Sequence, residues 1–305
     1  MQVGIFRNAI HRAVGLAGHV AVASRVGMST LRVLAYHAVP DAASFERQVG
    51  YLIRHFNLIT ARQAVAVIAR NETIDRPLWI TFDDGDSSIV ERGLAALNEF
   101  DVSATLFVCP GMIDSTEPFW WEVIEMAIAE KVELEGRLVA PGELSRLKLV
   151  HDNERRVQVR KIGEALEDRI GRRPMGDQLT TGDLHRWIAA GNFLGNHTWD
   201  HPLLNMCEPQ EQRQQIAAAH EWLTDNFSLD NLLFAYPNGN HSPAAEAILR
   251  ELGYAVGVLF DHRVHRGRNP LQTSRIRVNS ADGLSEFKAK VSGIHPVIHR
   301  ALGRS

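Results

Sequence analysis

Short apolar runs alternate with amphipathic stretches along most of the chain. Leu31 to Tyr36 reads as a strand, with a helix near Ala42 to Arg54 and a short strand near Asn57 to Ile59. Thr60 is placed to cap a helix that runs to Arg70. Leu78 to Phe82 is a second clear strand, Ser87 to Phe100 a helix and Ser103 to Val108 a third strand. Beyond a long middle section come a strand near Phe193 to Gly195, a helix over Pro209 to Phe227 and a strand at Leu232 to Tyr236. A helix at Pro243 to Leu252, a strand at Tyr254 to Phe260, a last strand near Ser274 to Val278 and a C-terminal helix complete the pattern. Strands separated by helices of about ten residues or more imply parallel pairing. About seven such units point to a closed or nearly closed barrel. The expected fold class is therefore α/β, a distorted (β/α)7-type barrel of parallel strands with a helical insertion.

That insertion, about residues 114–186, breaks the rhythm: it is helical, charged and long. Phe119-Trp120-Trp121 near its start has two readings. The rings dock the insertion on the barrel, or Trp120 offers a wall on which a sugar stacks. The barrel itself is expected over residues 31–280, with a C-terminal helix over 281–305. Residues 1–30 form a segment of their own. Val3, Phe6, Ile10, Val14 and Ala17 recur at helical spacing, and four arginines precede the first acidic residue, Asp41. The segment reads as an amphipathic helix packed on the domain, as a basic helix on an anionic membrane surface, or as a poor signal peptide ending at Ala21-Val22-Ala23. Gly15, Gly18 and His19 weaken the last reading, so the expected location is cytoplasmic rather than exported, with peripheral association with the inner membrane left open as an alternative.

Composition excludes more than it identifies. The 305 residues are 45% hydrophobic and 23% charged, an ordinary globular balance. A net charge of −3 gives no reason to expect a nucleic-acid partner. Two cysteines, Cys109 and Cys207, without CxxC spacing suggest neither a thiolate metal site nor a required disulfide. No apolar stretch approaches the roughly 20 residues of a bilayer span.

Chemistry enters at strand ends. Thr81-Phe82-Asp83-Asp84-Gly85 follows directly on an apolar strand. Adjacent carboxylates at the end of a buried strand are costly unless something compensates them, although a plain helix cap would also use an aspartate here. His197-Thr198-Trp199-Asp200-His201 places two imidazoles four residues apart after another short strand. Two histidines and a carboxylate form a facial set that leaves coordination positions open for water and substrate. In a parallel barrel both motifs belong at the C-terminal mouth, where active sites form.

With these two motifs the sequence resembles the polysaccharide deacetylases, the NodB homology domain of carbohydrate esterase family four, over roughly residues 31 to 280. Thr81 to Gly85 matches the first family motif in full, and His197, Thr198 and His201 match the second. The resemblance implies that Asp83 is the catalytic base and that Asp84, His197 and His201 hold a divalent metal, with Zn²⁺ best suited to these ligands. It implies hydrolytic removal of N-acetyl groups from a polysaccharide or a lipid-linked glycan precursor. The third family motif, Arg-x-Pro-x-Gly, appears as Ala235-Tyr236-Pro237-Asn238-Gly239. The arginine that would orient the base is replaced by Ala235, as in exopolysaccharide-type members, so another residue must fill that role or it stays vacant. The Tyr236 backbone N–H is the candidate oxyanion donor, and Pro237 belongs to the same turn. Tyr36-His37 resembles the early Tyr-His of many members, with His37 lining the pocket or closing a loop hydrogen bond. The late motif that carries a general-acid histidine has no clean match; His262, His265 and His295 are substitutes. Arg275 faces either the site from the last strand or solvent. Two competing functions stay open: hydrolysis of another small amide, and a catalytically inactive carbohydrate-binding barrel.

Overall fold

The computed structural model describes residues 30–265 and 267–292. The segment expected over 1–30 therefore lies outside the described residues, Thr30 apart, as does His295. The sheet strands are β1 (Arg32–Tyr36), β2 (Asn57–Leu58), β3 (Pro77–Phe82), β4 (Thr105–Val108), β7 (Phe193–Asn196), β8 (Leu233–Ala235), β9 (Val256–Val258) and β10 (Ile276–Arg277). Between β4 and β7 a hairpin contributes β5 (Glu133–Leu134) and β6 (Arg137–Leu138). The main sheet runs β10-β1-β3-β4-β7-β8-β9, with β2 on the flank of β3, and all its pairs are parallel.

The segment before β10 joins the two ends of this path. Thr273 N–H donates to Gly257 O and Leu259 N–H to Thr273 O, both at 2.8 Å. Three residues later Ile276 pairs with Leu34 of β1. The sheet curls into a distorted (β/α) barrel, in agreement with the sequence pattern.

Period-2 alternation sorts the strand residues. Val33, Trp79, Phe107, Leu233 and Val256 meet in one buried cluster, while Leu34, Ile80, Phe82, Leu106 and Leu194 belong to another that includes helix residues Phe45, Leu97 and Trp187. The first cluster fills the barrel and the second lies beneath the helices. Trp79 donates its Nε1–H to Thr105 Oγ1 at 3.0 Å, so the largest interior ring carries no orphaned polar group. Gly195 is small for a reason: a Cβ there would sit 2.4 Å from the Phe107 ring.

The helices start where the sequence places them. Thr60 and Gln63 form a capping box at the head of Ala61–Arg70, which ends on Asn71 at φ 56°. The helix expected over Ser87 to Phe100 is divided. A π-helical turn, Ile89–Gly93, precedes an α-helix, Leu94–Glu99, and this wider turn buries Ile89, Val90 and Gly93 together.

Between β4 and β7 the chain leaves the barrel. Helices Trp120–Ala129, Gly142–Leu147 and Asp152–Ile170, with the β5–β6 hairpin, enclose a core of their own around Ile124, Leu147, Ile162 and Leu166. The chain returns through helix Thr181–Ala189, whose Trp187 packs edge-on against Phe82 with ring centroids 5.8 Å apart. No helix among the described residues is long and apolar enough to cross a membrane.

Candidate metal centre and active site

Asp83 continues the inward parity of Trp79 and Thr81, so it lies at the C-terminal mouth of the barrel, and it is 2% exposed. Strict alternation would send Asp84 to the opposite face. Left-handed backbone at Asp84 (φ 74°) and Gly85 (φ 113°) turns the chain back, so both carboxylates serve one site. Thr198 (φ 70°) and His201 (φ 61°) also adopt left-handed conformations. Such residues cost on the order of 1–3 kcal/mol each and persist where their surroundings enforce them, often at functional sites.

Asp84, His197 and His201 converge. Their ligand atoms all lie within 4.8 Å of one another, and the Nε2 atoms of His197 and His201 stand 3.3 and 3.4 Å from Asp84 Oδ1. His197 Nδ1 is 2.8 Å from Ala235 O, an acceptor that requires the proton on Nδ1 and leaves the Nε2 lone pair facing Asp84. Asp84 Oδ1 is buried with no hydrogen-bond partner among the described residues, which is costly unless a cation completes it. Two ligands about 2.1 Å from one ion stand roughly 3.0–3.4 Å apart at ordinary coordination angles, so the set fits a divalent metal. Cys109 is a buried packing residue beneath this floor; its thiol donates to His197 O at 3.2 Å.

The partner that Ala235 does not supply to Asp83 comes from the far end of the chain. Arg275 is fully buried and donates Nη1–H to Asp83 Oδ1 at 2.7 Å and Nη2–H to Asp83 Oδ2 at 2.6 Å, with a third bond from Nη1 to Thr81 Oγ1 at 3.0 Å. Of the two orientations open to Arg275, the structure shows the inward one. Burial alone would raise the Asp83 pKa; the charges of Arg275 and then His197 outweigh it and hold the carboxyl below its usual value. Asp84 is also held well below the usual range: burial opposes this, and the surrounding imidazoles prevail.

Other candidates are placed differently from expectation. Tyr236 is not available as an oxyanion donor, because its N–H donates to Val258 O at 3.1 Å in the β8–β9 ladder. Its side chain turns away into the cluster of Phe234, Ile248 and Leu249. The register that consumes this N–H depends on which strand lies beside β8, and no local pattern reports it. Pro237 is buried at the first position of the turn Pro237–Gly239. Trp120 is not a wall of the site: its ring packs in the insertion under the Arg155 guanidinium, 5.0 Å from the ring centroid. The rings that reach the site are its neighbours, Phe119 and Trp121, whose centroids lie 5.9 and 4.5 Å from that of His201. His37 is half-buried at the mouth, 5.1 Å from the Phe260 ring. Burial lowers its pKa, the Asp84 and Asp83 charges raise it, and Arg277 and Arg275 lower it again. His262 is exposed, its ring tilted against Phe260 with centroids 5.2 Å apart, and His265 is half-buried near Asp261.

The insertion braces the histidine loop. Arg156 forms a two-pronged pair with Asp200, at 2.9 and 2.8 Å, and also bonds Asp152 at 2.6 Å. Gln215 Oε1 accepts the Trp199 and Asp200 N–H groups at 3.1 and 3.2 Å. Sequence reading missed Arg156 and Gln215. Their separation from the loop hides them, and neither stands in a motif.

Buried imidazoles and carboxylates gathered where parallel strands end place the chain among the (β/α)-barrel hydrolases. The family model described as polysaccharide deacetylase matches residues 70–257, more than half of the chain, and the chain belongs to that family. Its fold is similar to three solved structures. One is the deacetylase PplD of Streptococcus pyogenes in complex with acetate (16% identity, 87% of this chain and 99% of that chain, TM-score 0.61). Another is IcaB from Ammonifex degensii (18% identity, 87% and 97%, TM-score 0.60). The third is the BpsB deacetylase domain from Bordetella bronchiseptica (16% identity, 84% and 98%, TM-score 0.52). No curated protein sequence matches the chain.

Proposed function

We propose that this enzyme hydrolyses N-acetyl groups on the sugars of a polysaccharide or its lipid-linked precursor, with one divalent metal, Zn²⁺ by ligand type, held by Asp84, His197 and His201. The observation that carries the reading is the convergence of these three residues beside the Asp83–Arg275 pair. Such an ion lowers the pKa of a water toward neutrality and polarises an amide carbonyl.

The protein residues take the remaining roles. Arg275 fixes the plane of the Asp83 carboxylate and keeps it ionised, ready to accept the proton of the attacking water. The oxyanion needs a donor other than Tyr236. In the same turn Gly239 N–H bonds Tyr236 O and Asn240 N–H bonds Pro237 O, whereas the Asn238 N–H takes no part in these bonds, and it is our candidate. An amine leaves only if protonated. His37, whose pKa responds to both Asp83 and Asp84, is our candidate to relay the proton that Asp83 receives.

Acetate release from N-acetylglucosamine oligomers by the metal-loaded enzyme tests this reading. Asp83→Asn is expected to keep its metal and lose at least about a hundredfold in turnover. A fully active Asp83→Asn enzyme removes Asp83 from the mechanism. A metal-loaded wild-type protein that releases no acetate from any N-acetylated glycan contradicts the function.

A further inference from the structure

The rim of the site carries two cations that the hydrolysis does not use. Lys148 follows helix Gly142–Leu147 of the insertion and reaches across to the turn after β8, where its Nζ–H donates to Asn238 Oδ1 at 2.9 Å. Arg277 stands two residues beyond Arg275 on β10, on the same face and one step nearer the mouth, with its guanidinium 5.4 Å from the Phe260 ring centroid. Phe260 in turn lies against His37.

Among the described residues neither cation has a carboxylate within 4 Å. Lys148 is half-buried on a neutral amide. Its pKa is lowered by burial and then by the Arg277 charge, with the Glu125 charge opposing. The turn that holds Asn238 is pressed against Phe260, leaving no room for a Cβ at Gly239, and Arg277 overlies that same ring, so the two cations share one side of the mouth. Like charges gathered there, one partly desolvated, raise the free energy of the empty site, and an arriving anion relieves it. Six of the other basic side chains of the insertion differ in this respect: Arg146, Arg155, Arg156, Lys161, Arg173 and Arg186 each have an acidic partner.

We propose that Lys148 and Arg277 form an anion subsite, and that the substrate is an N-acetylated sugar bearing a carboxylate or phosphate close to the acetamido group. The inference rests on the deacetylase reading above and names its substrate class. The two anion sources are a uronate within a polymer and a phosphate ester at the sugar's reducing end. Both would meet the same pair of cations, by charge-assisted hydrogen bonds from Lys148 Nζ and the Arg277 guanidinium.

The experiment uses the metal-loaded full chain and three probes. They are the neutral N-acetylglucosamine tetramer, a tetrasaccharide of alternating N-acetylglucosamine and glucuronate, and N-acetylglucosamine 1-phosphate. Calorimetric affinity and acetate release are measured for each. At least one anionic probe is expected to bind about tenfold or more tighter than the neutral tetramer, and which one identifies the source. Lys148→Ala combined with Arg277→Ala should remove that advantage, raising KM for the anionic probe far more than for the neutral one, and Lys148→Arg should retain it. Equal affinity for neutral and anionic probes, or a double variant that weakens all three alike, overturns the proposal. Anion binding that depends on both residues but yields no acetate supports the subsite and overturns the deacetylase reading instead.

Discussion

The two imidazoles of the histidine loop sit in opposite surroundings. His197 comes straight off β7, within the barrel, and its Nδ1–H is fixed by the Ala235 carbonyl of β8. His201 ends the loop beneath the insertion, where Trp121 and Phe119 cover it and its Nδ1 has no hydrogen-bond partner among the described residues. The electrostatics follow. Burial would lower the His197 pKa, but Asp83, Asp84 and the Ala235 carbonyl overcome it and raise the value. For His201 burial prevails, and the pKa is pushed down to about 3. The barrel thus supplies charged and hydrogen-bonded partners, while the insertion supplies exclusion of water. The proposed ion site draws on both, so an elaboration outside the barrel bears on its chemistry.

The sharpest way to break the barrel side is Arg275→Met. It leaves Asp83 buried without its cation, and removing one partner of a buried pair costs about 3–5 kcal/mol. Thermal unfolding should show that loss, with acetate release falling by at least about a hundredfold. Stability within about 1 kcal/mol of wild type would show that Asp83 does not depend on this pair.

The insertion side breaks more gently. Arg156→Ala removes the brace on Asp200 and should weaken metal affinity by about tenfold, read by competition with a chelating dye, because outer partners of metal ligands carry effects of that size. Its cost in stability should stay within about 1 kcal/mol, since the pair is partly exposed. An unchanged affinity would detach the insertion from the metal site.

The smallest effect separates the two imidazoles by pH. A ligand whose pKa is raised competes for protons sooner, so metal retention should fall as the pH drops through the ordinary imidazole range, with His197 taking the proton. His201, pushed down to about 3, stays neutral over the same interval. Nuclear magnetic resonance of the ring protons in the metal-free protein checks the order. Titration of His201 before His197 would reverse the comparison.

What could be read in the sequence follows the same division. The strands are legible because inward and outward positions alternate, and Asp83-Asp84-Gly85 and His197 to His201 are legible because each motif is local. Arg275 was half legible. Ser274-Arg275-Ile276-Arg277-Val278 has the alternation of a strand, but a pairing across 192 residues of chain leaves no mark at either end. The fate of the Tyr236 N–H depended on the neighbour of β8, which is a matter of topology. In Phe119-Trp120-Trp121 the composition announced an aromatic cluster. Which rings face His201 was decided by where the helix Trp120–Ala129 begins, because successive helical residues point about 100° apart.

The central claim is that Asp84 completes a metal site with His197 and His201. Elemental analysis of purified wild type and Asp84→Ala, after dialysis against Zn²⁺ and then metal-free buffer, tests it most directly. About one ion per wild-type chain and essentially none in a folded Asp84→Ala protein is the predicted result. Equal metal in both proteins, or a folded wild type that retains none, would contradict it.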